Sequence, residues 1–209
     1  MSKTARYTTL ILSLLAGLTL LLPNARDAYA ATRTVCASGC DFTTIQAAIN
    51  ASVPGDTIRV NPGTYNENLD LTTMGTGGNL AIVKNGAGTV TIGGTGIKLR
   101  NSGAFAFNLT LDGLTFTSTS NNVVIQLNGL AGLTFVNNIV NGTGSDFNSH
   151  HDLQLTLSSG SGAYTIVNNT FNANGIFGDG LRVSVSGGSP SFTIEGNTFN
   201  GGSGPAMTY

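Results

Sequence analysis

The residues best suited to chemistry crowd into one stretch. Both histidines of the chain, His150 and His151, stand beside Asp146 and Asp152, and Asp179 and Arg182 follow about 30 residues later. A carboxylate beside an imidazole raises and orients it, so His151 with Asp179 could serve as a general acid/base pair. Asp146, Asp152 and Asp179 together offer the several oxygens that Ca²⁺ prefers, and Ca²⁺ is the one cofactor the sequence suggests. Paired acids with Arg182 as base would suit β-elimination on a uronic-acid sugar. Aromatic rings stack on pyranose faces, and with no Trp in the chain, Phe147 and Phe177 are the candidates for that contact. Gln154 and His150 complete the candidate substrate-binding set. The alternative is that these are polar loop residues with no chemistry.

These residues can meet only if the chain stacks them. One phrase recurs: LTLDGLTFTS at 109–118, LTFVNNIVNG at 133–142, YTIVNNTFNA at 164–173 and FTIEGNTFNG at 192–201. The starts, Leu109, Leu133, Tyr164 and Phe192, are 24, 31 and 28 residues apart. That period marks a solenoid, in which each coil buries its apolar face against its neighbours. Between the phrases VVIQL, LQLTL and LRVSV alternate apolar and polar, as half-buried strands do. The expected columns are Ile125, Leu155 and Val183, then Leu127, Leu157 and Val185. Val124, Gln154 and Arg182 are expected to face outward, with Gln126, Thr156 and Ser184. His151 then falls beside Asp179, and Gln154 beside Arg182. The Asn residues at 137–138, 168–169 and 197 occupy a corner, where Asn tolerates left-handed backbone and can bond to its stacked copies. Phe116, Phe135, Phe171 and Phe199 recur with the phrase and are expected in the core. The loops at 118–122, 141–152 and 172–180 vary most and lie on one side, where a regular scaffold usually carries its function.

Upstream, DFTTIQAAINAS at 41–52 predicts a short amphipathic helix. Thr43 or Thr44 is its N-cap, Ile45, Ala48 and Ile49 form its apolar face, and Pro54-Gly55 is its stop. It is placed to cap the open apolar end of the stack. TIRV at 57–60 is a strand. LAIV at 80–83, VTI at 90–92, IKL at 97–99 and AFAFNL at 104–109 read as further short strands.

This opening, CDFTTIQAAINASVPGDTIRVNPGTYNENL, resembles that of right-handed parallel β-helix proteins, the pectin lyase-like superfamily. The carriers are Cys40-Asp41-Phe42-Thr43-Thr44-Ile45-Gln46 and Gly63-Thr64-Tyr65-Asn66-Glu67, similar to stretches at the entry of pectinesterases. The resemblance covers about 30 residues and implies an all-β, right-handed parallel β-helix. It also implies an association with acidic, pectin-like polysaccharide, and for an active member a lyase, esterase or hydrolase. The QAVAL, DFIFG and LGRPW-type segments that carry pectinesterase catalysis do not occur. GIFGDG at 175–180 echoes one of them without its leading Asp, and no catalytic residue carries over.

The remaining features set the context. Lys3 and Arg6, an apolar run from Leu10 to Leu22 and Ala28-Tyr29-Ala30 together form the pattern of a secretory signal over 1–30. The β-helix domain is then 31–209, secreted or on the cell surface, with no membrane span in the mature part. Loss of Lys3, Arg6, Arg26 and Asp27 takes the formal charge from −1 to −3, which argues against nucleic acid as a partner. Cys36 and Cys40, four apart in an exported chain, are expected to form a disulfide, since metal binding needs more ligands than that segment offers. GGSGPAMTY at 201–209 carries no amphipathic cap, so chain-end association or a shortened gene product is expected there. The leading expectation is a polysaccharide-associated exported module. The competing one is a non-catalytic surface adhesin or structural passenger solenoid.

Overall fold

The computed structural model describes residues 30–72, 74, 78–101, 107–120, 123–143, 151–158, 161–173, 179–201 and 207–208. It is a parallel β-solenoid of about 5 turns with one short helix. Each regular coil contributes a strand to each of three sheets, and all strand pairs are parallel.

The first sheet stacks Thr32–Val35, Thr57–Val60, Asn79–Lys84, Asn108–Asp112, Gly132–Val136, Ala163–Val167 and Ser191–Glu195. The second stacks Gly63–Tyr65, Val90–Ile92, Leu114–Thr117, Ile139–Gly142, Thr170–Ala173 and Thr198–Asn200. The third stacks Leu69–Asp70, Leu99–Arg100, Ile125–Asn128, His151–Leu157, Asp179–Val185 and Met207–Thr208. Leu109, Leu133, Tyr164 and Phe192 are direct partners, so the repeat phrase is one rung per copy. The phrase is two strands joined by a corner, which makes three strands per coil where the sequence pattern resolves two.

That corner explains the asparagines. The residues that turn the chain out of the first sheet, Gly113, Asn137, Asn168 and Gly196, all have φ between 56° and 71°, the left-handed region that Gly and Asn enter most easily. The next residues form an internal ladder. Asn138 N–H donates to Asn169 Oδ1 at 2.8 Å, and Asn169 N–H to Asn197 Oδ1 at 2.9 Å. Each side-chain amide donates back to a carbonyl one coil below: Asn138 to Leu111, Asn169 to Phe135 and Asn197 to Ile166. These bonds satisfy the backbone groups that a tight buried turn would otherwise orphan.

The core is a column of apolar residues from all three sheets. Phe116, Phe135 and Phe171 are buried, and Phe199 packs against them. Phe135 belongs to the first sheet and lies between Phe116 (6.4 Å) and Phe171 (6.2 Å). It fills the space beside Val140, the one small residue in the second sheet's column Phe116, Val140, Phe171, Phe199. Each such ring removes apolar surface worth about 1.5–3 kcal/mol.

The helix spans Ile45–Ala51, with Thr44 as N-cap and Ile45, Ala48 and Ile49 buried. It ends before Pro54, because Ser52 already caps it: Ser52 N–H donates to the Ile49 carbonyl and Ser52 Oγ to that of Ala48. Glu67 accepts from the N–H groups of Ile45 and Gln46, both at 2.9 Å, which places a carboxylate at the positive helix end. The Gln46 amide bonds both the N–H (2.7 Å) and the C=O (3.0 Å) of Asp70. Gln46 thereby stands in for a neighbouring strand at the exposed start of the third sheet. Ile45, Gln46 and Glu67, all inside the stretch that resembles β-helix openings, therefore do capping work.

Four sequence expectations change. Val185, expected inward with Leu157, is exposed at the end of its strand, where the in-out alternation has lapsed. Thr32–Val35 is a strand that precedes the helix and pairs with Thr57–Val60; with Val35 its one fully buried residue, it carries little alternation to read. Ile125 pairs with Leu153, and Leu127 with Leu155, so this strand is displaced by two residues from the expected columns, which keeps the same face inward. Val124 is buried and does not face outward. Cys36 and Cys40 form the expected disulfide, with Cα atoms 5.6 Å apart.

Candidate functional site

The third sheet brings the sequence candidates together. His151 pairs with Asp179 and Gln154 with Arg182, in the expected register. His151 Nδ1 lies 3.3 Å from Asp179 Oδ2, and His151 Nε2 lies 2.9 Å from Arg182 Nη1. A guanidinium only donates, so Nε2 accepts from it and the imidazole proton belongs on Nδ1, the nitrogen nearer the carboxylate. The imidazole thus links Asp179 to Arg182.

This group is more enclosed than a loop site. His151 and Asp179 expose only 6 % and 11 % of their side chains. The reason lies in how the two strands begin. His151, Asp152 and Leu153 are buried in succession, as are Asp179, Gly180 and Leu181, and in-out alternation starts only after that. Asp152 falls between the pairs His151–Asp179 and Leu153–Leu181, opposite Gly180. A Cβ on Gly180 would meet the Phe199 ring at 2.5 Å and Phe171 Cβ at 3.1 Å, so this position points into the core. Asp152 is accordingly fully buried, and burial pushes its carboxyl up to about 8. Asp152 is thus a core residue of the solenoid, which the alternating pattern around it conceals.

Asp146, Phe147, His150 and Phe177 lie outside the described residues. Among the described residues no three acidic, His or Cys side chains gather as a metal would need. Ca²⁺ takes six to eight oxygens, and the described donors fit it poorly: Asp152 sits in the core and Asp179 faces His151.

The outer face of the third sheet adds residues the candidate list omitted. Asp70, Arg100, Gln126, Gln154 and Arg182 occupy one row across five strands. Asp70 and Arg100 form an ion pair, with Nη2 at 3.0 Å and Nε at 3.1 Å from Asp70 Oδ2. Gln126 Nε2 reaches Gln154 Oε1 at 3.5 Å. A parallel outer row holds Asn128, Thr156 and Ser184. Arg100 ends a two-residue strand, Leu99–Arg100, too short to show alternation, so only the register reveals its place. Comparison with protein-family models, curated proteins and solved structures finds no match for the chain. Among the described residues no helix is long and apolar enough to cross a membrane.

Proposed function

We propose that this chain is an exported solenoid that binds an acidic polysaccharide lengthwise across the third sheet. The observation that carries the reading is the row Asp70, Arg100, Gln126, Gln154, Arg182. It repeats at the strand spacing, about 4.8 Å, which is close to the advance of one pyranose in an extended chain. Arginines near both ends suit carboxylates, and glutamines between them suit hydroxyls. The resemblance of the opening to pectin lyase-like proteins points to the same class of ligand, and the signal-like pattern of residues 1–30 suits an extracellular one.

Binding is favoured over turnover. A general base needs its nitrogen free to take a proton, and Nε2 of His151 is held by Arg182. In this reading Asp179 and His151 position the Arg182 guanidinium, and Arg182 and Gln154 contact the glycan. A second reading, a surface adhesin, draws on the exposed apolar side chains Val185 and Phe192.

The test is titration of the full chain with polygalacturonate and with neutral dextran. Salt-sensitive binding to the acidic polymer that weakens at least tenfold in Arg182→Ala supports the glycan reading. Equal binding to both polymers, or to neither, overturns it. Unsaturated product formed during the titration would show turnover and reverse the preference for binding alone.

A further inference from the structure

A second cluster stands at the other end of the same sheet. Asn68, Ile97 and Arg100 line a cleft of about 280 Å³. Behind it lies Lys98, the one buried lysine among the described residues, at 1 % exposure. Its ammonium donates to Asn68 Oδ1 at 2.6 Å, Thr95 O at 2.7 Å and Gly93 O at 3.1 Å. These three acceptors match the three donors of an ammonium, so the charge is kept although burial pulls the pKa below that of an ordinary lysine.

The consequence concerns Asn68. An amide side chain can flip, and exposed Asn68 would have no reason to choose. Lys98 only donates, so it fixes Oδ1 inward and turns Nδ2 the other way, over Gly96: a Cβ on Gly96 would stand 3.2 Å from Nδ2. Gly96 also has φ 83°, so a side chain there is disfavoured twice. The outcome is an oriented N–H₂ donor at a cleft that also holds the half-exposed Arg100 guanidinium. Asp70 occupies only the Nε and Nη2 edge of that guanidinium. Ile97 supplies an apolar surface. A guanidinium edge, an amide donor and one apolar contact, in a volume near that of a sugar ring, suit a carboxylated pyranose.

Resting on the glycan reading above, we infer that the Asn68–Ile97–Arg100 cleft is a second anchoring subsite for a uronic-acid unit of the same chain that reaches Arg182. Arg100 and Arg182 are three strands apart in one row, about 14 Å. If each sugar advances by about one strand spacing, the two ends of a tetrasaccharide match that span and a disaccharide engages one anchor at a time. Joining two weak anchors in one ligand makes the second contact intramolecular and multiplies affinity.

The experiment titrates the full chain with di- and tetragalacturonate by calorimetry. The tetramer is expected to bind at least tenfold tighter than the dimer. Arg100→Ala and Asn68→Ala are expected to remove that gain, as is Arg182→Ala. Asn68→Asp is expected to weaken the tetramer further, because its carboxylate repels the ligand, while circular dichroism reports an unchanged fold. Arg182→Ala is also expected to leave intact the chemical-shift change at the Asn68 side-chain amide on adding galacturonate. A tetramer affinity unchanged by both Arg100→Ala and Asn68→Ala but lowered by Arg182→Ala overturns the cleft and leaves the glycan reading standing. Absence of binding in the unaltered chain removes both.

Discussion

His151 Nε2 and Arg182 Nη1 stand 2.9 Å apart, and the direction of that hydrogen bond follows from the guanidinium having no acceptor. His151 is therefore the Nδ1–H tautomer, with Nδ1 3.3 Å from Asp179 Oδ2. Nitrogen-15 NMR of the imidazole near neutral pH is expected to show this single tautomer. In Arg182→Ala the Nε2 constraint is gone, and a mixture of tautomers is expected. A single Nε2–H form in the unaltered chain would sink the arrangement and with it the positioning role of His151.

Asp152 should make the solenoid less stable as pH rises. An unfolded aspartate titrates near 3.9, whereas burial pushes this one up to about 8. Between those values the folded chain holds a proton that the unfolded chain has released. Stability contributed by the neutral carboxyl is thus full below the unfolded value and is lost across the window from about 4 to about 8. One proton corresponds to about 1.4 kcal/mol per pH unit. Asp152→Asn, neutral throughout, is expected to remove this slope from denaturant midpoints measured at pH 5, 6 and 7 (about these values). Parallel slopes in the two proteins would refute it.

The two asparagine ladders should differ in worth. Asn169 bonds Asn138 N–H and the Phe135 carbonyl inside the corner and is 1 % exposed. Asn172 bonds Asn141 and Asn200 through side chains on the outer face. Asn169→Ala leaves buried backbone groups without partners, at about 1–3 kcal/mol each. Asn172→Ala lets water replace what is lost, for well under about 1 kcal/mol. Chemical denaturation of the two variants gives the comparison, and equal losses would contradict the internal role of Asn169.

Lys98→Met should both destabilise the chain and loosen the cleft. Gly93 O and Thr95 O lose their donor; the loss is about 1–3 kcal/mol at buried Gly93 O, whereas water can take over at exposed Thr95. Asn68 becomes free to flip. Thermal melts and the tetragalacturonate titration read the two effects separately. A variant as stable as the parent would mean that the three carbonyl oxygens do not depend on the ammonium.

By itself the sequence determined the coil. The repeat phrase places Leu109, Leu133, Tyr164 and Phe192 in register, and the helix cap, the disulfide and the pairing of His151 with Asp179 are all legible from local pattern. These are short-range properties: side-chain period, turn chemistry and the stacking of like on like. Tertiary structure decided the rest. Whether Asp152 meets water depends on both strands of the pair starting with three buried residues, and no single strand carries that information. Arg100 joins Arg182 in one row only because strands of unequal length stack in register, and Asn68 is oriented by a lysine 30 residues away. Burial and alignment across coils are properties of the stack, so they come into being only when neighbouring coils cover one another.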